Sequence, residues 1–212
     1  MVKYTIVTLL TLFSFSGYSQ NDSSLIFPDS TGWNVLREDQ LLTFQVRSHH
    51  GDSVQFSIEG TAGLDIKFDS IGNFSWRPSF DLVDRVSRIK DYTVVFVAEK
   101  NDGTREKQAV TFKVNHVNRP PHVEELPVFY VKQSNVNTYQ IPEQFVYDAD
   151  GDPLVFKLIP SQMPEGSDLS SLGQLTWTPS RTQFAQLKNN PIWIEFIVQD
   201  QPDKAEARGR VP

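Results

Sequence analysis

The chain has 212 residues, no cysteine and a formal net charge of −6, from 20 Lys and Arg against 26 Asp and Glu. That balance is wrong for a nucleic-acid surface, where clustered Lys and Arg displace counterions from phosphates, and equally wrong for binding an anionic membrane surface. The lack of cysteine removes disulfides, thiolate zinc sites, iron–sulfur clusters, cysteine nucleophiles and the lipid-modified cysteine of a bacterial lipoprotein.

Residues 1–19 read as a secretory signal peptide. Lys3 supplies the positive start, Thr5 to Phe15 form an apolar or hydroxylic run, and Gly17 and Ser19 are small residues before a cut at Gln20. The run is short of the roughly 20 residues that a spanning helix needs. The chain is therefore expected to be exported, to the cell surface, the extracellular space or the periplasm, with no transmembrane segment in the mature part. Residues 20–35 are a lead-in. An exported chain without cysteine must gain stability from core burial, tight turns or bound ions.

Strand patterns follow. Leu42, Phe44 and Val46 alternate with polar neighbours, as do Val54, Phe56 and Ile58, and then Leu64, Ile66 and Phe68. Phe74 and Trp76 come after the turn Ser70-Ile71-Gly72-Asn73. Period two with one apolar face marks half-buried strands. Tyr92 to Ala98 is a continuous apolar run, the mark of a central strand, and Asn101-Asp102-Gly103 is a hairpin signal before Val110, Phe112 and Val114.

The pattern then repeats about 100 residues further on, which is the signature of two copies of one unit. His50 to Ile58 overlays Asp150 to Leu158, Ile71 to Ser79 overlays Leu172 to Ser180, and Thr93 to Ala98 overlays Trp193 to Val198. Between the copies, Val117-Asn118-Arg119-Pro120-Pro121 fixes backbone angles and makes a stiff connector. The expected organisation is a first sandwich over 36–116, a linker over 117–122 and a second sandwich over 123–212. No helical stretch beyond two turns is expected after residue 19. Short strands with frequent turns predict an all-β chain built of two antiparallel sandwiches. Trp76 and Trp177 recur in both copies beside an apolar partner and are expected in the cores rather than as sugar platforms.

Asp148-Ala149-Asp150-Gly151-Asp152-Pro153, the later Leu172-Gly173-Gln174-Leu175-Thr176-Trp177-Thr178-Pro179 and the Asn-Arg-Pro-Pro linker resemble the cadherin-like (dystroglycan-type) and Ig-like domains of bacterial surface proteins. The resemblance spans most of residues 36–212. It implies Ig/cadherin-like β-sandwiches in tandem, serving as adhesion, spacer or interaction modules, often with bound Ca²⁺.

Asp148, Asp150 and Asp152 crowd three carboxylates into five residues, which repel unless a cation lies between them. Ca²⁺ selects hard oxygen ligands and takes about 6–8 of them. The loop is not an EF-hand, because with Asp148 as position 1 the sixth residue is Pro153 and the twelfth is Ile159. Other ligands must come from elsewhere in the fold. Glu143, just before the loop, is one candidate. The resemblance implies Asp200 at the end of the last long strand, and Asn118 in the connector. A plain solvated turn is the alternative reading of this loop. The first copy has Ser48, His50, Asp52 and Lys100 at the matching positions, so calcium is expected in the second unit only. The adjacent His49 and His50 point opposite ways on an extended chain and make a poor metal site, and His116 and His122 are expected to be exposed linker residues.

No catalytic motif is present: no nucleophile elbow, no H-E-x-x-H, no phosphate loop and no dinucleotide fingerprint. The expected function is a non-catalytic exported module with a protein or surface-glycan partner and no nucleic acid. A structural subunit of an envelope assembly, in secretion or surface motility, is one alternative. A carbohydrate-binding module using Trp33, Tyr130 and Trp193 is another. The last strand looks half as long as its counterpart in the first copy, from which two expectations arise: the chain is the start of a longer array, or its open edge accepts a partner strand.

Overall fold

A computed structural model describes residues 25–49 and 54–212 of the chain. The signal-peptide expectation at 1–19 lies outside the described residues, as do His50 and Asp52.

The first half runs β1 (Leu25–Ile26), β2 (Val35–Arg37), β3 (Leu42–Gln45), β4 (Arg47–Ser48), β5 (Val54–Glu59), β6 (Ile66–Phe68), β7 (Asn73–Trp76), β8 (Ile89–Lys100) and β9 (Arg105–Asn115). A four-stranded sheet in the order β2-β9-β8-β5 packs against a three-stranded sheet, β3-β7-β6. All pairings are antiparallel except β2 with β9, where Val35 to Arg37 run parallel to Lys113 to Asn115. The apolar alternation builds the core directly. Val94, Phe96 and Ala98 of β8 and Phe112 and Val114 of β9 face Phe74 and Trp76 of β7, with Phe74 stacked on Phe112 at 5.4 Å between ring centres. Such ring pairs add to the gain from burying aromatic surface. Leu25, Phe27 and Trp33 of the lead-in also pack on this cluster.

The second half repeats the plan with β10 (His122–Val123), β11 (Asn137–Gln140), β12 (Val146–Tyr147), β13 (Leu154–Leu158), β14 (Ser167–Leu169), β15 (Gln174–Trp177), β16 (Ile194–Asp200) and β17 (Glu206–Val211). Here β13-β16-β17 faces β11-β15-β14 across a separate core with Leu175, Trp177, Phe196 and Val198. One helix, α1 (Arg181–Leu187), follows β15; Ser180 and Gln183 close a reciprocal cap at its N-terminus. The architecture is all-β, in sandwiches.

The repeated Gly-x-aromatic/Leu-x-Trp element does one job in both halves. Val46 N–H donates to the Gly72 carbonyl at 2.8 Å, and Ile141 N–H donates to the Gly173 carbonyl at 3.0 Å. Both glycines have positive φ, +88° and +79°, and a side-chain carbon there would meet the Val46 carbonyl oxygen at 2.3 Å or the Phe156 ring at 2.9 Å. Only glycine permits that turn and that approach together. The strand that follows buries Trp76 and Trp177, which are 1% and 3% exposed. At the far end, β17 pairs with Ile194 to Gln199 over six residues, and the Pro212 carbonyl accepts the Phe129 N–H at 2.8 Å.

Candidate metal centre at the junction

The connector, the 148–152 loop, the β16–β17 turn and the 79–88 loop of the first half converge at one place. Asp148 shapes its own loop: its Oδ1 accepts the N–H groups of Asp150 at 2.8 Å and Asp152 at 3.1 Å. In that fold-back Asp150 meets the connector and Asp152 meets the 79–88 loop of the first half. One ligand oxygen from each of Asp148, Asp150 and Asp152 lies within 4.8 Å of the others. Asp200 lies outside that triplet but joins the centre through the connector: its Oδ2 accepts Asn118 Nδ2 at 2.7 Å and its Oδ1 accepts Ala205 N–H at 2.8 Å. Glu143 is exposed and lines a different cleft with Ile141, Tyr147, Leu154 and Phe156.

Two arginines that the sequence did not nominate enter the centre. Arg119 grips Asp150, donating its backbone N–H to Oδ2 at 2.6 Å and its Nε to Oδ1 at 2.7 Å, while Nη2 donates to the Ala149 carbonyl at 2.8 Å. It also lies 3.5 Å from Asp81 and over the Phe80 ring. Arg85, from the first half, donates Nη1 to Asp152 Oδ1 at 3.1 Å. A third pair, Arg88 with Asp203, crosses the junction nearby.

The carboxylates still outnumber the arginines. Asp148, Asp150, Asp152 and Asp200 bring four negative charges against Arg85 and Arg119. Asp152 has a side chain only 1% exposed, and burial followed by the negative charge of Asp148 raises its pKa, with Arg85 pulling the other way. At this centre three buried oxygens have no hydrogen-bond partner among the described residues: Asp148 Oδ2, Asp152 Oδ2 and Asn118 Oδ1. Unpaired buried acceptors are costly, and hard oxygens beside excess negative charge are what a divalent cation such as Ca²⁺ takes. The donor set is of the kind that ion takes.

The junction holds a second polar device. Glu38 is buried at the end of β2; its Oε1 accepts Val83 N–H at 2.9 Å, and its Oε2 lies 2.9 Å from both Val117 N–H and His116 Nδ1. The expectation that His116 is exposed is therefore corrected: its side chain is 3% exposed, because it satisfies a buried carboxylate. His122 is exposed as expected. In the first half, Lys100 pairs with Glu106 at 2.8 Å. Of the aromatic residues considered for glycans, Trp33 stacks on Phe27 against the core, Trp193 lies under the Arg210 guanidinium at 4.3 Å, and Tyr130 is 84% exposed on an apolar groove. Among the described residues no helix is long and apolar enough to cross a membrane.

No protein-family model matches the chain, and no curated protein is similar to it. Solved structures similar to it include cadherin ectodomain fragments. Mouse protocadherin-24 EC1-3 shares 12% identity at a TM-score of 0.40, covering 84% of this chain and 65% of that one, so the chain spans less than two thirds of it. Human protocadherin-24 EC1-2 gives 12% identity and a TM-score of 0.38 over 84% of this chain and 88% of that one. Drosophila N-cadherin EC1-4 gives 13% and 0.41 over 84% of this chain and 46% of that one. Likenesses at this distance carry no function across. The fold class, all-β sandwich, stands on the sheets and cores described above.

Proposed function

We propose that this chain is an exported, non-catalytic tandem of sandwiches, divided as 36–116 and 123–212 about a 117–122 linker, that serves as an adhesion, spacer or interaction module and binds Ca²⁺ at its junction. The ligands are Asp148, Asp152 and Asn118, joined by Asp200 and Asp150. The observation that carries the reading is the set of three buried, unpartnered oxygens at a junction with surplus negative charge. A bound cation gives those oxygens a partner and offsets the burial and the Asp148 repulsion that together raise the Asp152 pKa.

The test is a thermal melt of the chain in Ca²⁺ and in EDTA. An ion that binds only the folded form at 100 times its dissociation constant adds about 2.7 kcal/mol. The expected result is an upward shift in Ca²⁺ that Asp152→Asn removes. Equal melting in both buffers would leave the loop as an ordinary turn tied by arginines, and the calcium reading would fall.

A further inference from the structure

Resting on the calcium reading above, we infer that Arg85 is an exchangeable occupant of the centre, so that the divalent ion opposes the Arg85–Asp152 ion pair and loosens the tie between the two sandwiches. The inference begins with the two oxygens of Asp152. One accepts Arg85 Nη1 at 3.1 Å, and the other is buried and unpartnered. A cation on the free oxygen sits beside a guanidinium held on its twin. Like charges that close are weakly screened at a site where the carboxylate is 1% exposed.

Such a cation competes with the arginine that is less firmly held, and the surroundings of the two arginines decide which that is. Arg119 is held by its backbone N–H, by Nε and Nη2, by Asp81 and by the face of Phe80. Releasing it means breaking all of these. Among the described residues, Arg85 has only the Asp152 contact, and its side chain is 36% exposed. It can turn into water and recover its hydration. Its backbone does not follow, because Glu38 holds Val83 N–H and Asp84 Oδ1 holds the N–H groups of Val86 and Ser87. The loop stays in place while one side chain lets go. The pair lost is a direct link from the first half to the second, leaving Arg88–Asp203 and the Arg119 contacts.

Linkage makes the effect reciprocal: if the ion weakens the Arg85 pair, removing Arg85 strengthens ion binding by the same factor. Calcium titration by calorimetry on the full chain, its Arg85→Gln variant and the charge-preserving Arg85→Lys variant reads this directly. Arg85→Gln is expected to bind about tenfold tighter, within the usual range of coupling between sites, and Arg85→Lys to stay near the parent. The chain lacks cysteine, so dyes on exposed Lys67→Cys and Thr182→Cys report the separation of the two halves. The parent should give a narrow distance distribution in EDTA and a broader one in Ca²⁺; Arg85→Gln should be broad in both. Tighter distances in Ca²⁺, or an Arg85→Gln affinity equal to or weaker than the parent's, would overturn the exchange while leaving the metal site standing. No binding by either protein up to about 10 mM, above the range of extracellular calcium modules, would instead overturn the calcium reading and the exchange with it.

Discussion

Glu38 offers the sharpest single-atom test of how the junction is held. Its carboxylate serves three donors from two other segments: Val83 N–H on one oxygen, and Val117 N–H and His116 Nδ1 on the other. Glu38→Gln keeps the shape and replaces one oxygen by an amide nitrogen. With the remaining oxygen toward Val117, the new NH₂ meets the Val83 N–H; turned over, it meets the Val117 N–H. Either way two donors face each other and one backbone N–H in a buried setting loses its acceptor. An orphaned buried donor costs about 1–3 kcal/mol, so the first sandwich should lose about 2 kcal/mol. Glu38→Ala orphans all three donors and leaves a void, and should cost about 4 kcal/mol. The assay is urea unfolding followed by tryptophan fluorescence. With a slope of about 1.5 kcal/mol/M for a unit of this size, Glu38→Gln should lower the midpoint by about 1.3 M with the slope unchanged. A midpoint within about 0.3 M of the parent would refute the reasoning and mean that the buried carboxylate is not the shared acceptor.

Two further outcomes follow from the turns. Gly72→Ala should destabilise the first sandwich by about 3 kcal/mol or more, since the new carbon meets a backbone oxygen that cannot yield, while Gly173→Ala meets a ring that can shift and should cost less; calorimetric melts of both variants check the order. The Asp69 carboxyl is held below its ordinary range chiefly by the Asn73 side chain and then by the Asn73 N–H. A depressed folded pKa contributes stability that is present above the unfolded value, about 3.9, and is lost as pH falls through the folded value. Asp69→Ala should therefore lose less melting temperature than the parent on acidification from about pH 5 to about pH 2, and equal losses would rule out this carboxylate as a contributor.

Much of the fold was legible because strand faces are written in period two. Apolar residues named for the strand faces, such as Phe74, Trp76, Phe112, Leu175 and Trp177, are core residues. The repeated glycine–tryptophan element was legible because both halves need the same tight crossing. The site was legible only in part. Asp148, Asp150 and Asp152 are close in sequence and so close in space. Arg85, Arg119 and Glu38 are not: their partners lie 67, 31 and 45 residues away. Charge alone does not choose among the 20 basic side chains of the chain. His116 misled for a related reason, since a histidine beside a proline-rich connector reads as solvated until the buried carboxylate facing it is known.

The parallel pairing of β2 with β9 bears on a molecule that carries tension. The chain enters the four-stranded sheet through Val35 and leaves it through Asn115, and the stretches paired there lie side by side in the same direction. Pulling the lead-in one way and the connector the other slides the strands along each other. The hydrogen bonds of that ladder are then loaded together and must fail together, unlike a hairpin drawn open from its end. Forced unfolding is governed by the rate of crossing that barrier rather than by equilibrium stability. Once the β1–β4 pair upstream has given way, the three parallel pairs of β2 and β9 form a shear clamp next to the junction.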